Sequence, residues 1–198
     1  TFSQGYAAAP KCSPSRCSFL TGQTTARNGF TETGNGFTSD RKLIPASNNS
    51  AIDSEDITIA EWLKSTTQDY RTAHYGKWHL GNNGPANHGF DFSDGNTTNT
   101  EGDNGGGAQA DPKKIFDLTQ KGVDFMTESV AAGEPFYLQL SHYAVHTSIE
   151  YTQEAVDKFN NKEEGDVHDN VGFASMTGDL DDGVRLILDA IEELDISD

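Results

Sequence analysis

Cations are the scarce component of this sequence. Lys and Arg number 14 against 31 Asp and Glu in 198 residues, a formal net charge of −17, with a sequence pI near 4.5. A surface that grips nucleic acid needs clustered Lys and Arg facing phosphates, so that class of partner is excluded. Cysteine is as rare: Cys12 and Cys17 are the two, too few to fix a redox compartment. No apolar run approaches the length of a membrane span, no secretory leader is visible, and the chain opens on Thr1 rather than Met. What acidity there is suits a well-solvated surface or a saline setting. A protein so charged that handles an anion must concentrate its few cations at one place, and Arg16 and Lys77 are the candidates.

Four helices and two short strands are expected, the alternation of an α/β sheet protein. One helix follows Ser13. A second begins at Thr58, where Thr58 and Glu61 form a capping box and Ile59, Trp62 and Leu63 share a face. A third is marked by Asp111 as cap and Pro112 at the first position, with Ile115, Leu118, Phe125 and Met126 at helical spacing. A fourth runs from about Gly172 to Leu194, its stripe Phe173, Met176, Leu180, Val184, Ile187, Ile191 and Leu194, with Asp179, Asp181 and Asp182 on the solvated side. The strands are Tyr70 to Tyr75 and Phe136 to Leu140. Residues 93–109 are a Gly, Asn, Thr and Asp tract with nothing to bury, hence a loop, and their carboxylates do not match EF-hand spacing. Asn48 and Asn96 sit in sequons of the kind polar loops produce by chance.

The informative run is Cys12-Ser13-Pro14-Ser15-Arg16, continued by Cys17-Ser18-Phe19-Leu20-Thr21-Gly22. Pro14 suits a first helical position and Ser13 the cap before it. Cys12 then faces the unpaired N–H groups and positive dipole end of that helix, a setting that acidifies thiols and attracts anions. Arg16 adds a permanent cation one turn away. Local chemistry thus describes a reactive cysteine and an anionic substrate. Tyrosine-phosphatase chemistry is excluded, because that loop needs Arg six positions after its Cys, where Ser18 and Gln23 stand after Cys12 and Cys17. Cys17, inside the helix, reads as packing.

The same string resembles the signature of the type I sulfatases, in which Cys-x-Pro-Ser-Arg followed by Leu-Thr-Gly directs oxidation of the cysteine to Cα-formylglycine. Gln23 stands where the family usually has Arg. A second block, Gly76-Lys77-Trp78-His79-Leu80-Gly81, is similar to the family segment that carries a Lys and a His into the sulfate pocket. A third, Pro135 to His146, is similar to the strand ending in the family's Ala-Pro-His, with Val145 in place of the proline and His146 in the catalytic position. Lys77 with His79 and His142 with His146 each come at once after a predicted strand, where ligands of open α/β sheets collect. His142 and His146 stand four apart as in helical zinc sites, but no intervening Glu completes that pattern. His142 is left without a role, and His74, His88 and His168 read as ordinary hydrogen-bonding residues.

The resemblance implies an α/β fold of the alkaline phosphatase and sulfatase kind, a mixed, mostly parallel sheet flanked by helices, incomplete here. Residues 1–198 then correspond to the central part of the catalytic domain, with Thr1 to Pro10 as its second strand. The first strand, bearing an Asp-Asp metal pair, and a later one, bearing Asp-Asn, are not in this sequence. It further implies a sulfuric ester hydrolase in which Cys12, as formylglycine, is nucleophile and calcium ligand. Arg16 and Lys77 then hold charge, His79 handles the nucleophile's proton, and His146 serves the leaving oxygen. The implied partners are a sulfated small molecule or polysaccharide and a formylglycine-generating or anaerobic sulfatase-maturating enzyme, in a periplasmic or secreted setting. The alternatives are a phosphonate or phosphate monoester hydrolase of the same superfamily and a non-catalytic fragment; the piece by itself is expected to be inactive.

Overall fold

The computed structural model describes residues 4–33, 47–66, 68–81 and 84–197. In chain order these form α1 (Cys12–Thr21), α2 (Thr25–Asn28), α3 (Ile59–Lys64), β1 (Arg71–Gly76), β2 (Phe92–Ser93), β3 (Gly107–Ala108), α4 (Ile115–Ala132), β4 (Phe136–Ser141), β5 (Glu150–Tyr151), α5 (Gln153–Asn160) and α6 (Val171–Glu193). β1 lies between β2 and β4 and is parallel to both, with Arg71 to Gly76 opposite Phe136 to Ser141. β3 and β5 make a separate parallel pair. Every strand pairing among the described residues is parallel, as the expected fold requires. Parallel neighbours need a crossover, and α4 supplies it between β1 and β4, packing on both. Covered on both faces, β1 buries Thr72, Ala73 and His74 in succession.

The local signals held where they were self-contained. Thr58 and Glu61 form the capping box of α3, and Ile115, Leu118, Phe125 and Met126 are all buried along α4. Trp62, assigned to the inner face of α3, is 60% exposed; six residues give that helix too short an inner face to cover it. The helix at α4 begins one turn late. Pro112–Lys114 form a 3₁₀ turn, and Asp111 caps across it, its carboxylate accepting from the Phe116 and Asp117 N–H groups.

Three expectations are corrected. α1 starts at Cys12, with Lys11 in the cap position, because the Ser13 hydroxyl donates instead to the His79 carbonyl at 2.8 Å. Residues 4–10 form no strand, and Thr1 to Ser3 lie outside the described residues. On α6, Asp179 is buried, accepting from the Thr152 N–H at 2.8 Å and the Thr152 hydroxyl at 2.7 Å, while Phe173 and Val184 are exposed. The helix turns Met176, Asp179 and Gly183 inward. Gly183 sits where a Cβ would lie 2.9 Å from Ile115 and Thr119, so the absent side chain lets α6 approach α4.

One buried cluster positions the site. Cys17 and Leu20 of α1, Phe30, Ile52, Ala60, Trp78, Leu80 and Phe90 pack together, with Tyr137 of β4 against them. Trp78 and Leu80 fill this cluster, while Lys77 and His79 between them are outside it. His74 lies beneath, 2% exposed and edge-on to Trp78 at 5.2 Å between centroids. Burial, and then the Arg16 charge, push its pKa from 6.5 down to about 4. A histidine whose folded value is depressed stabilises the fold above its unfolded value and loses that contribution as pH falls toward the folded one. Between pH 6.5 and 4 we expect denaturant-measured stability to drop by about 1.4 kcal/mol per pH unit from His74, roughly 3 kcal/mol in all. A His74→Leu variant is expected to flatten that slope; an unchanged slope would show that His74 is charged inside.

Candidate active site

Cys12 occupies the first position of α1, half-buried at the end where the helix N–H groups are free. Its Sγ lies 3.3 Å from Nδ1 of His79 and 3.5 Å from Oγ1 of Thr33. The charge of the Lys77 ammonium acts on the same sulfur. The pKa of this thiol falls from 9.0 to about 5, first through the His79 hydrogen bond, with burial opposing and Thr33, the Lys77 charge and the His79 charge assisting. At neutral pH Cys12 is therefore a thiolate. Its neighbour five residues on behaves oppositely: Cys17 is fully buried and its thiol is pushed up to about 11, chiefly by burial.

The two cations are built into the fold. Lys77 is 3% exposed, and burial lowers its pKa while the Cys12 charge resists. Arg16, one turn along α1, donates from a guanidinium nitrogen to the Lys77 carbonyl at 2.5 Å. Burial lowers its pKa, opposed by Cys12 and then Tyr143. The α1 guanidinium therefore clamps the backbone of the segment whose side chain carries the second cation. His79 adopts φ 57°, and its peptide is held at both ends, N–H to the Thr97 carbonyl at 2.8 Å and carbonyl to Ser13.

Thr97 is the hub of the neighbouring loop. Its hydroxyl donates to the Gly76 carbonyl at 2.5 Å and accepts from the Trp78 N–H at 2.9 Å. Two residues on, Asn99 reaches His146 at 3.3 Å. The fold thus gathers Cys12, Thr33, Arg16, Lys77 and His79 directly, and joins the exposed His146 to them through residues 97–99. His142 goes elsewhere, its Nε2 3.3 Å from Thr119 on α4 and its pKa lowered by burial. His142 and His146 thus have separate partners. His88, expected to make ordinary hydrogen bonds, stacks on Trp78 at 5.7 Å with both ring nitrogens unpartnered.

Thr33 and Asn99 were not singled out from sequence. Both sit in polar stretches without periodicity, and their contacts span 21 and 47 residues, a separation that local patterning does not encode. Among the described residues no group of three or more His, Cys, Asp and Glu is arranged to hold a metal. Calcium takes six to eight oxygen ligands, whereas Cys12 is surrounded by two cations, an imidazole and a hydroxyl. These side chains fit an anion, not a calcium shell.

Comparison with known proteins agrees with that geometry. The sulfatase family model matches residues 1–197. An arylsulfatase of Hemicentrotus pulcherrimus is 30% identical over 232 residues, covering 100% of this chain and 38% of that protein. The chain thus spans little more than a third of that relative. Among solved structures, Ps i-CgsB in complex with k-i-k-neocarrahexaose superposes with a TM-score of 0.71 at 21% identity, over 98% of this chain and 47% of the other. A second structure, held with its substrate D-glucosamine-2-N,6-O-disulfate, gives a TM-score of 0.58 at 23% identity, over 83% and 31%.

Proposed function

The chain belongs to the sulfatase family, and from that premise we propose that it is the central part of a longer catalytic domain that hydrolyses a sulfate ester. The observation that carries this reading is the end of α1 at which it starts: an acidified residue 12 with the His79 imidazole at its sulfur and the Lys77 charge acting on it. Such a corner suits an RO-SO3 group, whose charge buried Lys77 and half-buried Arg16 would hold and whose transition state they would stabilise. The substrate class we favour is a sulfated carbohydrate, supported by fold neighbours whose structures contain k-i-k-neocarrahexaose and a glucosamine disulfate.

Oxidised to formylglycine, residue 12 supplies a hydrated aldehyde as oxygen nucleophile. His79, through the nitrogen now 3.3 Å from the sulfur, takes the proton of that nucleophile. Lys77 holds non-bridging sulfate oxygens. Arg16 fixes the Lys77 backbone and adds positive potential, and His146 protonates the departing oxygen. The resemblance assigns calcium's carboxylates to segments outside residues 1–198, and oxidation of Cys12 to a maturation enzyme of the formylglycine-generating or anaerobic type.

The test is turnover by the longer enzyme, co-produced with a maturase and checked by intact mass and aldehyde trapping of the tryptic peptide containing residue 12. Hydrolysis of an aryl sulfate well above that of an aryl phosphonate is expected. Preference for the phosphonate would move the enzyme to the phosphonate branch of the superfamily, and an unmodified Cys12 in active enzyme would end the formylglycine reading.

A further inference from the structure

His146 is engaged at both ring nitrogens, and the partners fix where its proton sits. Nδ1 lies 2.7 Å from the Thr147 carbonyl oxygen, which only accepts, so Nδ1 carries hydrogen. Nε2 lies 3.3 Å from the amide nitrogen of Asn99, which only donates, so Nε2 presents its lone pair. In this arrangement the ring is neutral and has no Nε2 proton to give away. The other amide atom, Asn99 Oδ1, is buried without a hydrogen-bond partner. Half a turn about the last side-chain bond would exchange the two, pointing Oδ1 at Nε2 and satisfying it only if Nε2 bears a proton.

We infer that Asn99 is the positioning residue of His146, its amide following the proton: Nδ2 toward the neutral ring, Oδ1 toward the imidazolium that serves the leaving oxygen. This rests on the proposed role of His146 as acid. The Nε2 hydrogen has one direction, so the leaving oxygen displaces Asn99 Oδ1 as its acceptor; as the bond from sulfur to that oxygen breaks, the electron pair stays on the oxygen, which takes the Nε2 proton and departs. The pair left on Nε2 then accepts from Asn99 Nδ2.

The surroundings hold the Asn99 backbone still. Its carbonyl accepts from the Gly102 N–H at 3.2 Å. The Glu101 carboxylate takes the Thr98 N–H at 2.7 Å and hydroxyl at 3.0 Å. Gly102 lies flat on Tyr143, three residues before His146; a Cβ there would come 2.2 Å from the ring. On the other side Thr97 is tied to Gly76, Trp78 and His79. Among the described residues, the ionisable groups on the flanking turn and loop are Glu101, which feels the Lys114 charge, and Tyr143, which interacts with Arg16 and Glu101. Behind Tyr143, Asp94 before the 97–99 loop pairs with Lys121 of α4 at 3.0 Å.

Asn99→Asp and Asn99→Ala in the matured longer enzyme test this, with two readouts: the NMR titration of the His146 ring and turnover of sulfates with good and poor leaving groups. A fixed carboxylate opposite Nε2 holds the imidazolium, so Asn99→Asp is expected to move the His146 titration and the alkaline limb of kcat upward by about one pH unit. Asn99→Ala is expected to lower kcat by roughly 10- to 100-fold for phenyl sulfate with KM little changed, and far less for p-nitrophenyl sulfate, which needs little protonation. A His146 titration that stays put in Asn99→Asp, or equal losses for both esters in Asn99→Ala, would overturn the inference. If the parent enzyme hydrolyses no sulfate ester, the reaction reading fails. The ring titration then decides the Asn99 pairing alone.

Discussion

Replacing Cys12 by Ala is expected to eliminate sulfate-ester turnover by the matured enzyme, by about 10⁴-fold or more, the scale of losing a nucleophile that works as one unit with its base. The side chain of residue 12 is not part of the buried cluster; its sulfur has His79 Nδ1 and Thr33 Oγ1 as hydrogen-bond partners. Stability should therefore hold while rate collapses. Cys17→Ala supplies the contrast five residues along the same helix. That thiol is fully buried between Leu20, Trp78 and their neighbours, so truncation is expected to cost on the order of 1 kcal/mol of stability and leave kcat intact. Parallel assays of p-nitrophenyl sulfate turnover and denaturant midpoint on the two variants separate the cases. Turnover surviving in Cys12→Ala would remove residue 12 from the reaction.

The second large effect is expected at Lys77. Lys77→Met keeps the length and apolar stem and deletes the charge. Loss of one preorganised cation facing developing negative charge is expected to lower kcat/KM by roughly 10²- to 10³-fold. Stability should move the other way. At 3% exposure the ammonium is desolvated, and that burial is the first cause depressing its pKa, so an apolar replacement relieves a cost that the fold carries for the sake of the site. Lower turnover joined to an equal or higher unfolding midpoint is the signature of a functional charge. The reverse pattern, an active but weakened protein, would make Lys77 a structural residue whose ammonium serves the local backbone.

Which features could be read from sequence follows from how far their causes reach along the chain. The α3 capping box needs only Thr58 and Glu61, three residues apart, and it formed as expected. The buried row Ile115, Leu118, Phe125 and Met126 likewise answers to one helical period. The Cys12, Lys77 and His79 grouping became legible because two short blocks match a family string; their closeness in space came with the fold. α5 went unseen because its start is fixed by Thr152, and Thr152 by Asp179 twenty-seven residues on. For the same reason Asp179 was assigned to solvent. Asn99 sat in a polar tract that composition marks as loop, and composition cannot say that one amide of seventeen residues faces an imidazole.

The alternation at residues 77–80 carries a cost for any lineage that keeps it. Trp78 and Leu80 pack in the buried cluster while His79 meets residue 12 and the Lys77 charge acts on it, so four consecutive residues are tied to both the packing and the proposed site. A cavity opened under the indole is therefore expected to disturb the neighbouring Lys77 ammonium along with the packing.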